Sequence, residues 1–162
     1  MRWVTWENIA VDRMACGWLI LRFIDPKAKF VFVPAGRKPL PRNAEPFDIP
    51  GARLSHHRGH CTFSTMLKQY KLKDRILQRI ARMVDEADVI QEATVEAAAP
   101  GLDMICRGMR RASADDYVAM ERGTLVYDAL YAELGAKGTG GEGAEWLPPC
   151  SGDAKEGGGG RR

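Results

Sequence analysis

A chain of 162 residues with 45% hydrophobic and 28% charged content can enclose one core, and it holds no apolar stretch of membrane-spanning length. Its net charge of +3 is too small for a general polyanion binder, and residues 136–162 carry four bases and four acids, so the whole excess falls on residues 1–135. The four cysteines, Cys16, Cys61, Cys106 and Cys150, form no CxxC pair, which argues against a disulfide-stapled secreted domain and a zinc ribbon.

Free thiols indicate a reducing, cytoplasmic setting, and Glu7, Asp12 and Arg13 interrupt any export signal. Residues 2–5 and 29–33, rich in β-branched and aromatic side chains, predict two short strands. Between them some part of 11–24 should be helical, ending at Asp25-Pro26 because the residue before proline resists the α conformation. Residues 34–45 hold three prolines with Gly36 and Asn43 and should form a loop, Phe47 to Gly51 reads as a brief strand ending in a turn, and 52–62 is a second loop.

Helical spacing returns over 63–70 and 74–84, where Leu77, Ile80 and Val84 share one face and Arg75, Arg79 and Arg82 the other. A further helix is expected across 94–109, and a long one from Ser113, whose hydroxyl can cap it, to about Leu134, where Gly135 stops it. The fold class is α+β, mainly helical, with short N-terminal strands forming a small sheet packed on several helices. One domain spans 1–135, and the Gly-rich residues 136–162 should be a disordered tail.

All three histidines fall in Ser55-His56-His57-Arg58-Gly59-His60-Cys61. Imidazole and thiolate suit zinc, copper, nickel or iron, and for the whole site a divalent zinc, iron, nickel or manganese ion is expected, although adjacent side chains on a loop need partners from elsewhere to close it. The plainer alternative is one histidine bound to a backbone carbonyl, two in solvent, and Cys61 as a small buried hydrophobe. Asp12 and Cys16 share a helix face at i and i+4, with Arg13 beside them; a helix starting near Gly17 would instead put Cys16 at its N-terminus as a reactive thiolate. Asp116 shares a face with Met120, Gly123 and Tyr127, so its carboxylate needs a partner or a cation, and Asp48 either holds a turn or serves as an oxygen ligand.

These motifs together resemble the C-terminal domain of ChrB-type chromate-resistance proteins, which also occurs free-standing. The resemblance runs over about residues 2–134 and is carried by Val11 to Ile20, Arg22 to Pro26, Pro46 to Gly51, His56-His57 with Cys61 and Phe63, Ala114 to Asp116, and Tyr127 to Tyr131. This chain has Gly17 where the family usually has proline, and Tyr117 where it often has histidine. The resemblance implies a setting of chromate or related oxyanion and metal stress. Since the chain opens directly on this domain, no DNA-binding half is expected.

The leading reading is a pocket in which His56, His57 and Cys61 meet Asp12, Arg13, Cys16, Asp48 and Asp116, binding a divalent transition metal or, through Arg13, an oxyanion such as chromate. A second reading makes the same residues a metal-dependent or thiol-based enzyme, reductase-like, working through Cys16 and Arg13. A third is a regulatory module using the basic surface over 68–82, although the charge is weak for nucleic acid and a solvated helix face explains it better.

Overall fold

The computed structural model describes residues 1–89 and 95–136. Strands β1 (Arg2–Trp6), β2 (Lys29–Val33) and β3 (Glu45–Pro46) form a parallel sheet in the order β2-β1-β3, with Trp3 opposite Phe30 and Glu45. Parallel neighbours require a crossover. Helix α1 (Val11–Leu19) supplies it and widens into a π-helical turn, Ile20–Ile24, that ends before Pro26 as the sequence predicts. The strand expected within Phe47 to Gly51 lies just before it: Phe47 makes one bridge to Leu54, and Asp48 turns out of the strand with φ 49°.

Helices α2 (Thr62–Gln69), α3 (Arg75–Asp88), α4 (Ala99–Arg111) and α5 (Asp116–Ala136) complete the architecture, which is α+β and mainly helical. Asp74 caps α3, accepting from Ile76 N at 2.7 Å and Leu77 N at 3.1 Å. The start expected for α5 is displaced, because Ser113 donates back to Met109 O at 2.6 Å while Asp115 accepts from Val118 N at 2.9 Å and does the capping. Gly135 does not stop this helix, which continues to Ala136; the remainder of the expected tail, with Cys150, lies outside the described residues.

The core centres on Trp18 of α1. Its ring stacks near Phe63 and Tyr127, with centroids 6.4 and 5.8 Å away, and its Nε1 donates to Asp128 of α5 at 2.8 Å. Arg22 closes on the same carboxylate through Nε at 2.9 Å and Nη2 at 2.7 Å, so the indole and the guanidinium share one buried acid. Helices α1 and α5 interlock through a pair of glycines: a Cβ on Gly17 would meet Met120 Sδ at 2.2 Å, and one on Gly123 would meet Met14 Sδ at 2.9 Å. Gly17 therefore belongs to a close helix contact in mid-helix, and no helix begins there to activate Cys16.

Candidate metal site

Four elements converge on the candidate site. Asp12 comes from the first turn of α1 and is buried, which is costly for a carboxylate without donors. Its donors are the first amides of α2: Thr62 N reaches Oδ2 at 2.7 Å and Phe63 N reaches Oδ1 at 2.9 Å, while Cys16 Sγ donates to Oδ1 at 3.4 Å. The positive end of one helix is thus satisfied by an acid from another.

Asp48 enters from the loop after β3. Its left-handed backbone suits an aspartate, and its amide donates to Leu54 O at 2.8 Å, closing the loop beneath it. Arg13 Nε pairs with Asp48 Oδ2 at 2.8 Å, and Thr62 Oγ1 donates to Oδ1 at 2.6 Å. Burial alone would raise the Asp48 pKa, but hydrogen bonding to His56 and the charge of Arg13 hold it below the ordinary value.

His56 supplies the third group. Its Nε2 stands 3.1 Å from Asp12 Oδ2, 3.3 Å from Asp48 Oδ1 and 3.2 Å from Asp88 Oδ2. Hydrogen bonding to Asp12 and then Asp48 pushes its pKa up to about 10, so the imidazole is protonated at neutrality without a metal. Asp88 closes α3, where a carboxylate opposes the helix dipole. Its burial, then the charge of Asp12, push its pKa up to about 6.

Of the residues singled out in the sequence, Asp12, Arg13, Asp48 and His56 line one pocket of about 510 Å³, and Cys16 lies behind it against Asp12. His57 does not join them. It is exposed beside Thr65 and Lys68, and it exchanges backbone hydrogen bonds of 3.0 and 3.1 Å with His60 across a tight turn whose central residues, Arg58 and Gly59, are both left-handed. His60 pairs instead with Asp85, Nδ1 to Oδ2 at 2.9 Å.

Cys61 is fully buried, with its amide donating to Asp85 Oδ1 at 2.7 Å and its thiol to Ser64 Oγ at 3.7 Å. Asp116, expected to face the core, lies at the opposite end of the α1 entry loop and accepts from Asn8 N at 2.9 Å and Ile9 N at 3.1 Å. It tethers a loop. Tyr117 is exposed and packs edge-on against Phe32, away from the pocket.

Asp88 escaped the sequence reading. The signal was the pair Asp85 and Asp88, which share a face at i and i+3 on the helix whose other side carries the arginines. Two of the three arginines are engaged: Arg82 Nε meets Glu96 at 3.2 Å and Arg79 Nε meets it at 3.6 Å.

Cys16 and Cys61 are both buried, and burial followed by the charge of Asp12 raises both thiols above the ordinary value, so neither favours the thiolate that redox chemistry needs. Asp12, Asp48 and His56 each offer one ligand atom, all within 4.8 Å of one another. An imidazole with carboxylates already oriented by their own donors is the arrangement from which metal centres are built.

Fold and site together define a small, mainly helical α+β domain in which two buried acids, Asp12 and Asp48, meet the exposed His56 at a pocket. The chain belongs to the family described as "ChrB, C-terminal domain", whose model matches residues 3–134. It is 34% identical over 134 residues to Protein ChrB of Cupriavidus metallidurans (strain CH34), covering 82% of this chain and 40% of that protein. The chain thus spans well under half the length of this relative. No solved structure matches it. Among the described residues, no helix is long and apolar enough to cross a membrane.

Proposed function

We infer that this domain binds one divalent transition metal through Asp12, Asp48 and His56, with Asp88 beside them, and serves in the response to chromate or related metal stress. The observation that carries the reading is the crowding around one nitrogen. A single Nε2 proton satisfies one acceptor, yet three carboxylate oxygens stand 3.1–3.3 Å from it. Those are the spacings of neighbouring ligands in a coordination shell, since tetrahedral bonds of about 2.05 Å give ligand edges of about 3.3 Å.

The donor set, oxygen-rich with one imidazole and no thiolate, suits manganese(II), iron(II) or zinc(II). Bound there, the metal would neutralise the acids that otherwise repel one another and supply a Lewis-acidic centre facing the pocket. Arg13 is engaged by Asp48, which favours a metal over an oxyanion as the first occupant, because its Nε already faces the Asp48 carboxylate at 2.8 Å and one Nη the Asp48 carbonyl at 3.4 Å.

Zinc or manganese titrated calorimetrically into protein without a histidine tag is expected to bind at one site, and His56→Ala to weaken binding by at least about 100-fold. Equal affinity in the two proteins would remove His56 from the site.

The pH dependence has a definite sign. The metal must displace the His56 proton, so affinity should rise about tenfold per pH unit below about 10, with one proton released per ion at neutral pH. Stability of the metal-free protein runs the other way: with the His56 pKa raised in the folded state, its contribution is complete below the unfolded value of 6.5 and fades as pH climbs through about 10. Calorimetry in buffers of different ionisation enthalpy reads the proton, and a pH-independent metal affinity would contradict His56 as a ligand.

A further inference from the structure

The pocket is much larger than an ion requires. At about 510 Å³ it falls in the range of roughly 300–1,000 Å³ typical of small-molecule sites, and its lining is of two unlike kinds. Asp12, Arg13, Asp48, His56 and Asp88 form a charged end; Trp6, Ala10, Ile49 and Pro50 form an apolar wall. We propose that the metal-loaded site takes a small organic monocarboxylate, its carboxylate on the open face of the metal and its hydrocarbon body against Trp6, Ala10, Ile49 and Pro50. The proposal rests on the metal reading above and adds the class of ligand to it.

Two physical arguments select this class. The first is charge: the two positive charges of a divalent ion and that of Arg13 balance Asp12, Asp48 and Asp88, leaving the loaded cluster formally neutral. A monoanion then meets the metal without a net opposing field. A dianion such as sulfate places a second negative charge beside Asp88 in a partly desolvated site, where like charges are costly. The second is surface: an inorganic oxyanion occupies the charged end alone and leaves the apolar wall wet, whereas a hydrocarbon body buries it at about 25 cal/mol per Å².

Three protein ligands would also leave at least one coordination position of a four-coordinate metal for an exchangeable small ligand. No covalent step is involved; binding exchanges metal-bound water for a carboxylate oxygen.

The test uses the full chain loaded with one equivalent of zinc, titrated by calorimetry with sodium benzoate, acetate and sulfate at fixed ionic strength. Benzoate is expected to bind at least tenfold more tightly than acetate or sulfate, and not to bind the metal-free protein. Pro50, exposed on the wall, gives the companion variant: Pro50→Asp should weaken benzoate at least fivefold without weakening zinc. Zinc binding with no preference for benzoate over acetate, or with sulfate the tightest, would overturn the ligand class and leave the metal site standing. Failure of zinc to bind would overturn both.

Discussion

Asp128→Ala is expected to lower the free energy of unfolding by about 3–5 kcal/mol, the loss typical when one partner of a buried charge pair is removed and the other stays. Asp128 receives the Trp18 indole at 2.8 Å and both Arg22 nitrogens at 2.9 and 2.7 Å, and the facing side chains of Arg22 and Asp128 are only 14% and 11% exposed. Without the carboxylate, the indole N–H loses its acceptor and the guanidinium loses its two-bond contact between α1 and α5. Asp128→Asn should recover part of the loss, because an amide oxygen still accepts one of these bonds. Urea unfolding of the three proteins measures the series, and a loss below about 1 kcal/mol for the alanine variant would show that the site admits water and relaxes.

Asp12→Ala should cost less stability but do two things at once. Two amides at the start of α2 lose a charged acceptor, for which about 3 kcal/mol is a reasonable magnitude given 1.5–3 kcal/mol for hydrogen bonds to charged groups. Zinc affinity should fall at least about 100-fold in the same variant. His56→Ala separates the two effects through pH: its side chain is 46% exposed and holds no helix amide, so it should lose the metal, while its cost to the urea midpoint should shrink as pH climbs through about 10 and that of Asp12→Ala should persist. An Asp12→Ala protein as stable as wild type would mean that water replaces the carboxylate at the helix end.

The elements were largely legible in the sequence because their signals are local. Strand composition at 29–33, the Asp25-Pro26 stop and the apolar spacing of α3 each depend on residues within one or two turns, and the structure contains all three. The helix start at Ser113 misled because two good caps, Ser113 and Asp115, stand two residues apart, and only the fold of the preceding turn decides which one is free.

The site was half legible. Residue chemistry marked Asp12, Asp48 and His56, since a buried acid or a clustered histidine requires a partner wherever it lies. It could not separate His56 from His57, because their choice depends on the left-handed turn at Arg58 and Gly59 that sends the neighbours apart. Asp116 was misjudged on its helix face: it does need donors, but two backbone amides supply them, and amides leave no mark in a sequence. Asp88 was lost among the exposed acids that follow the basic face of α3.

The start of α2 behaves differently from most helix ends. First-turn amides usually face water and open ahead of the rest of the protein. Here Cys61 N is held by Asp85 of α3, and Thr62 N and Phe63 N by Asp12 of α1. Fraying this end would separate three helices and strand two carboxylates, so its local opening is merged with the opening of the core. Amide hydrogens at 61–63 therefore exchange on the timescale of global unfolding, and the backbone that frames His56 keeps its shape for as long as the domain does.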